Sequence, residues 1–224
     1  MRHLLLATRN AHKTREFAAI LGPEFTVSDL TLRADLPAVK ETGSTLEENA
    51  TLKAVAISRL VPGLVVADDS GLEVDALGGK PGVYSARYAG EHASDSDNIA
   101  KLLRELAASG TDGGAAAQFR SVLVLAQLGN VMGVFHGVVR GTITQKAAGT
   151  RGFGYDPIFK PDGSARTFAE IGDEVKNAIS HRARAIAQLP SFLTESPPRG
   201  RVAAYEIGYG AGGGGGGATV PGAP

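Results

Sequence analysis

Phe119-Arg120-Ser121-Val122-Leu123-Val124-Leu125-Ala126-Gln127-Leu128 is followed by Gly129-Asn130 and then by Val131-Met132-Gly133-Val134-Phe135-His136-Gly137-Val138-Val139. Two apolar runs separated by that dipeptide alone predict neighbouring antiparallel strands, because Gly and Asn tolerate the positive φ of a two-residue hairpin turn. Upstream the pattern differs. His3 to Thr8 reads as a buried strand, and Ala11 to Leu21 as a helix with Phe17, Ile20 and Leu21 at helical spacing, stopped by Gly22-Pro23. A second helix starts at Thr45, where Glu48 completes a capping-box spacing, and runs through Leu52, Val55, Ala56 and Leu60 to Pro62-Gly63. Gly63 to Asp68 is another buried strand. Ser94 to Ala108 reads as an amphipathic helix with Ile99, Leu102, Leu103 and Leu106 on one side, its start rich in Ser and Asp. Ile143 and Ile158-Phe159 add short strands, and Ser180 to Leu193 is a last helix capped by Ser180. Helices alternating with strands early and a hairpin late predict an α/β fold on a mixed sheet.

The chain has 224 residues, 43% of them hydrophobic, enough for one sizeable domain or two closely packed lobes. From Pro197 the character changes: Gly210-Ala211, the glycines Gly212 to Gly217 and then Ala218 to Pro224 cannot bury enough apolar surface to offset their ordering entropy. The expected division is a domain over 1–196 and a disordered tail over 197–224. Lys plus Arg number 23 and Asp plus Glu number 23, so no global positive field drives binding to nucleic acid or anionic membrane. There is no cysteine, which removes disulfides, thiolate metal sites and a thiol nucleophile and is compatible with a reducing compartment. Leu4-Leu5-Leu6-Ala7 is too short for a signal peptide and no run approaches a membrane span, so a cytoplasmic protein is expected.

Chemistry concentrates in separate blocks. Thr8-Arg9-Asn10-Ala11-His12-Lys13 lies where a strand hands over to a helix, a junction whose N–H groups and dipole suit phosphate, with Lys13 adding a charge. The glycines of a Walker loop are absent, which disfavours ordinary nucleotide-kinase chemistry. Glu41, Glu47, Glu48, Asp68 and Asp69 form an acidic set able to hold magnesium together with phosphate oxygens. Asp68 and Asp69 are adjacent in a strand and point to opposite faces, so one of them faces a site. The glycines of Gly78 to Tyr88 either admit a ligand or shape a loop. In Gly152-Phe153-Gly154-Tyr155-Asp156-Pro157 an aromatic ring flanked by glycines can stack on a base beside a carboxylate. His181 and Arg182 fall in the first turn after Ser180, against the helix dipole, where a ligand would account for them, while Arg184 points elsewhere. His3, His12, His92 and His136 show no ligand spacing.

In this order, Thr8-x-Asn10-x-x-Lys13, Glu41-Thr42-Gly43, Glu48-Asn49-Ala50, Lys53-Ala54, Asp68 to Leu72, Pro81 to Arg87, Gly152 to Pro157 and Ser180-His181-Arg182 resemble the inosine/xanthosine triphosphate pyrophosphatases over residues 3 to 193. The resemblance implies an elongated mixed sheet with flanking helices, two lobes around a central active-site cleft, and a homodimer. It implies magnesium on Glu41 and Asp69, Asp69 as proton acceptor, and Asp68 in support. The segment Thr8, Arg9, Asn10, Ala11, His12, Lys13 would bind substrate together with Lys53 and Ser70 on the phosphate side, and Phe153, Gly154, Tyr155, Asp156, Lys176, His181 and Arg182 would enclose base and sugar. The implied reaction releases pyrophosphate from deaminated purine nucleoside triphosphates. Arg9 and Ala183 depart from the family's usual small or polar residue and glycine. A pyrophosphatase for modified pyrimidine or methylated guanine nucleotides fits the blocks less well, a non-catalytic nucleotide sensor is opposed by the retained carboxylates, and a nucleic-acid-binding module is opposed by the zero net charge.

Overall fold

The computed structural model describes residues 2–111 and 114–195. The chain enters through β1 (Arg2–Leu6), turns into α1 (Ala11–Leu21), and returns through β2 (Phe25–Asp29). Helix α2 (Leu46–Ser58) leads to β3 (Leu64–Val74), a 3-10 segment (Gly82–Arg87) and α3 (Asp95–Ala108). The long pair β4 (Ala115–Gln127) and β5 (Asn130–Ile143) is followed by β6 (Phe159–Pro161), α4 (Phe168–Ile171), α5 (Asp173–Ile179), α6 (His181–Ile186) and α7 (Leu189–Glu195). The strands form one sheet in the order β2-β1-β3-β4-β5-β6. β1 is parallel to both β2 and β3, and the remaining pairs are antiparallel. The expected mixed α/β sheet with flanking helices is therefore present.

Alternation along β3 and β4 divides the core. Leu4, Leu6, Val66, Leu123 and Leu125 pack under Phe17 and Leu21 of α1, Ala185 and Ile186 of α6 and Leu189 and Leu193 of α7. Val65, Ala67, Val122 and Val124 pack on the other face against Leu46, Ala50, Ala54 and Ile57 of α2. A third cluster joins Leu72 and Val74 to Leu102 and Leu106 of α3 and to Phe159 and Phe168. Burying a large aliphatic or aromatic side chain contributes about 1.5–3 kcal/mol, so these clusters hold the helices on the sheet. Gly137 lies where a Cβ on β5 would collide with the His181 carbonyl, so its lack of a side chain lets α6 sit directly on the strand.

Several elements differ from the sequence expectation. The hairpin is present, but Gln127 pairs with Asn130 and the turn is Leu128-Gly129, both at positive φ, one residue earlier than expected. β2 was not anticipated, because Phe25-Thr26-Val27-Ser28-Asp29 is an edge strand with no continuous apolar run. β3 extends beyond Asp68 to Val74 because β4 pairs with it from Val65 to Val74. The single helix expected from Ser180 to Leu193 is two helices. Pro190 has no N–H to continue the ladder through this point. Ser180 adopts an extended conformation that ends α5 and caps α6. The expected tail, 197–224, lies outside the described residues.

Candidate active site

The site opens where one strand stops and its neighbour continues. β1 follows β3 only as far as Leu6 beside Val66, with one further bond from Ala7 N–H to the Val66 carbonyl at 2.7 Å. Beyond this point β3 has β4 on one side, and its other edge is without a partner strand until Leu72 to Val74 meet the Lys80 to Ser85 segment. The Asp68 carbonyl on that edge accepts the ammonium groups of Lys13 at 3.2 Å and Lys53 at 3.1 Å. Strand alternation then sends the two aspartates apart, as expected. Asp69 lines a cleft of about 400 Å³ together with Thr8, Arg9, Asn10, Lys13 and Lys53. Asp68 is buried beneath it, bound by Lys13 at 2.8 Å, Arg182 at 3.0 Å, Ser70 at 2.7 Å and Ser121 at 2.6 Å.

Those surroundings separate the two carboxyls electrostatically. Burial pushes Asp68 towards its neutral form, but Arg182 and Lys13 outweigh it and hold the acid well below the usual aspartate range. Burial wins at Asp69: its carboxyl is raised despite the nearby Lys53 and Lys13 ammonium groups, with Glu41 adding to the rise. A raised carboxylate is the better proton acceptor, whereas a depressed one serves as a permanent countercharge.

Glu41, in the loop before α2, reaches the same point as Asp69. Lys53 Nζ lies 2.7 Å from Glu41 Oε1 and 2.8 Å from Asp69 Oδ1, so the two carboxylates share one cationic partner. With the Asp68 carbonyl, three oxygens converge on the Lys53 ammonium, and each is a hard oxygen donor. That donor set fits a hard divalent cation such as magnesium, which binds few carboxylates and completes its shell with water and phosphate oxygens. Among the described residues no group of three or more His, Cys, Asp or Glu side chains forms a metal cage, so phosphate and water would have to supply the remaining ligands. Arg87 Nη1 lies 3.3 Å from the other Glu41 oxygen.

At the start of α1, Asn10 Oδ1 accepts the His12 N–H at 2.9 Å and the Lys13 N–H at 3.4 Å, while Thr8 Oγ1 accepts the Asn10 N–H at 3.1 Å. Two amides expected to be open to a ligand are thus already capped. Arg9 lines the cleft while donating to the Leu36 carbonyl at 2.8 Å. Ala11 and His12 are not among the lining residues; the His12 ring stands 5.3 Å from the Phe153 ring and outside the phosphate side.

The opposite wall is built from Gly152 to Asp156. A Cβ at Gly152 would collide with the Asp156 carboxylate, and the residue has φ of +76°, so both space and backbone demand glycine. Asp156 accepts the Phe153 N–H at 2.9 Å and the Lys176 ammonium at 2.6 Å, fixing the loop from inside. The Phe153 ring remains half-exposed with Lys176 Nζ 4.7 Å and Arg182 Cζ 5.6 Å from its centre. Tyr155 is buried, and its hydroxyl donates to the Ser85 carbonyl at 2.9 Å. His181 stacks on Phe119 at 4.7 Å and is buried with no protein partner for Nδ1. Burial, then the positive Arg182 and Lys176, hold it well below the ordinary histidine range, so the imidazole is neutral.

Arg182 has protein partners where a ligand had been expected to account for it. Its guanidinium pairs with Asp68 and, from α1, with Glu16, which also binds Lys176 at 2.8 Å. Ser70, Gly154, Lys176 and His181 line the cleft as well. Glu16, Arg87, Asp95 and Asn98 were not singled out from sequence. Arg87 stood unassigned inside the Pro81 to Arg87 block, and Asp95 and Asn98 read only as a favourable helix start. Glu16 carried no signal beyond its helical spacing from Lys13.

Comparison with known proteins accords with this geometry. The model of the Ham1 family matches residues 4–192. The dITP/XTP pyrophosphatase of Bacillus licheniformis is 45% identical over 197 residues, covering 88% of this chain and 100% of that protein. The dITP/XTP pyrophosphatase of Geobacter sulfurreducens is 50% identical over 195 residues, covering 86% and 97%. Among solved structures, a HAM1 protein from Coxiella burnetii superposes with a TM-score of 0.78 at 40% identity, covering 88% of this chain and 100% of that one. The Staphylococcus aureus Ham1 protein gives 0.75 at 42%, covering 87% and 99%. With the family model matching residues 4–192 and relatives and structures similar over nearly the whole described length, the chain belongs to the Ham1 family.

Proposed function

We propose that this chain hydrolyses deaminated purine nucleoside triphosphates (ITP, dITP and XTP) to the monophosphate and pyrophosphate, with magnesium as cofactor. The observation that carries the reading is the meeting of Glu41 and Asp69 on one cationic point across the cleft from the half-exposed Phe153 ring. Relatives named dITP/XTP pyrophosphatase, at 45% and 50% identity, support the substrate class.

In this reading Thr8, Asn10, Lys13, Lys53 and Ser70 orient the phosphate chain, the two ammonium groups offsetting charge that grows on the leaving oxygen. Asp69 takes the proton of a water whose oxygen attacks the α-phosphorus. A new P–O bond forms there as the bond to the bridging oxygen breaks, and pyrophosphate departs with that electron pair. Glu41 and Asp69 would hold magnesium, which when bound neutralises phosphate charge and polarises the phosphoryl oxygens.

Selectivity follows from donors facing the base. Arg182 Nε and Nη2 serve Asp68 and Ser70 and Nη1 serves Glu16, which leaves one N–H of the fork to meet a carbonyl. Hypoxanthine and xanthine carry that carbonyl where adenine carries an amine. The neutral His181, whose Nδ1 lacks a protein partner, offers a second polar contact. Buried polar groups left unpaired by the wrong base can discriminate by ~10⁴.

We also infer a homodimer, as the family resemblance implies, and action in the cytoplasm, where nucleotide pools feed polymerases; no helix among the described residues is long and apolar enough to cross a membrane. The domain is taken to end at residue 196, just beyond the family match. Pyrophosphate release from ITP, XTP, dITP, GTP, ATP and dTTP, with magnesium and with a chelator, tests the function. Release confined to the deaminated purines and to magnesium supports it, and equal rates on all of them defeat it.

A further inference from the structure

The first turn of α3 touches both walls of the cleft. Its own cap is complete without Asp95: Ser94 Oγ accepts the Asp97 N–H at 3.2 Å, and the Asp97 carboxylate accepts the Ser94 N–H at 2.9 Å. The Asp95 carboxylate instead leaves the helix and accepts the Gly154 N–H at 2.6 Å, in the middle of the loop that carries Phe153. Three residues on and on the same helix face, Asn98 is buried and uses both ends of its amide on the other wall. Its Oδ1 accepts the Ala89 N–H at 2.7 Å, and its Nδ2 donates to the Ala86 carbonyl at 3.3 Å. Those bonds bracket Arg87, the residue that reaches Glu41. Asp95 and Asn98 both line the cleft.

We propose that the first turn of α3 is a brace that sets the spacing between the two walls, with Asp95 the positioning residue for the Phe153 loop and Asn98 that for Arg87. The proposal rests on reading the cleft as a purine nucleoside triphosphate site. Gly152 and Gly154 give the Phe153 loop backbone freedom, and Asp156 restrains it only from inside. Tyr155 ties the following residue of the loop to Ser85, and Asp95 adds the anchor on the outer side, at the Gly154 N–H next to Phe153. Because Asp95 is exposed at the rim, the anchor adds little to global stability, so its effect falls on substrate geometry and not on folding.

The test compares the wild type with Asp95→Ala and with Asp95→Asn, whose amide oxygen can still accept the Gly154 N–H. Steady-state kinetics on ITP and ATP are combined with thermal melting and with the backbone amide resonance of Gly154. Asp95→Ala is expected to raise KM for ITP about three- to ten-fold with a smaller change in kcat, the loss of one charge-assisted hydrogen bond at an exposed site. It should also narrow the preference for ITP over ATP, leave the melting temperature near that of the wild type, and shift the Gly154 resonance. Asp95→Asn should recover most of each change. An unaltered KM and ITP preference in Asp95→Ala, or equal defects in both variants, overturns the proposal. A wild-type protein that treats ITP and ATP alike defeats the functional reading instead. The brace is then decided by the Gly154 resonance, which must move further in Asp95→Ala than in Asp95→Asn, and an unmoved resonance in Asp95→Ala or equal shifts in both overturn it.

Discussion

Asp68 and Arg182, 114 residues apart in sequence, meet in full burial, with Nη2 3.0 Å and Nε 3.2 Å from the same carboxylate oxygen. The pair joins the centre of β3 to the first turn of α6 and supports the cleft without facing it through Asp68. Because Arg182 opposes the dipole of the short α6, a buried anion is what makes its position tolerable.

Removing that anion should cost stability. Asp68→Leu leaves Arg182 with Glu16 as its remaining acidic partner and takes the paired carboxylate away from Lys13, and a loss of about 3 kcal/mol is expected. Denaturant unfolding measures it; a change below about 1 kcal/mol would show that the pair is replaceable.

The neighbouring residue should behave in the opposite way. Asp69→Asn keeps the shape and one hydrogen-bond acceptor for Lys53 but removes the proton acceptor, so kcat should fall by about 10²-fold or more while the fold persists. Pyrophosphate release and a thermal melt on the same preparation separate the two effects. A variant retaining most of its kcat rules out Asp69 as the base.

Glu16 supplies a pH signature. Burial opposes its ionisation, but Arg182 and Lys176 prevail and hold its carboxyl below the ordinary value of 4.5. A depressed acid contributes stability that is complete above its unfolded value and is lost as pH falls through its lower folded value. The stability gap between wild type and Glu16→Gln should therefore be constant around neutrality and shrink below pH 4.5. A gap that widened on acidification would contradict the assignment.

The hairpin carries a removable strain. Leu128 sits at φ of +51° with its side chain exposed, a conformation that suits Asn or Gly better than a branched aliphatic residue. Leu128→Asn should stabilise the protein by about 1 kcal/mol, read as a higher melting temperature with unchanged kcat. A lower melting temperature would mean that Leu128 packs more favourably than its exposure suggests.

Much of the frame was legible from local chemistry. Thr45, Ser94 and Ser180 cap the helices whose starts the sequence indicated, because a cap is a contact between residues three or fewer apart. The long hairpin was equally local, although the turn moved by one residue once the register between Gln127 and Asn130 was set by packing along both strands. β2 is not evident from sequence because an edge strand need not be apolar throughout, and the last helix is interrupted between Ile186 and Leu189, just before Pro190 in the first turn of α7.

The order of the short blocks by itself determined the family, the mixed sheet and the residue types available for phosphate, metal and base. The family resemblance implied Asp69 for the site, but the two residues by themselves left the choice open, and only the tertiary structure puts Asp69 on the cleft wall and Asp68 beneath it. Alternation along β3 says that Asp68 and Asp69 diverge, but their roles depend on which helices cover each face. Arg182, itself held by Glu16, reaches Asp68 from one side, while Lys53 of α2 joins Asp69 to Glu41 on the other. Those partners are distant in sequence, so their charges and the desolvation that tunes each acid exist only after the helices have docked.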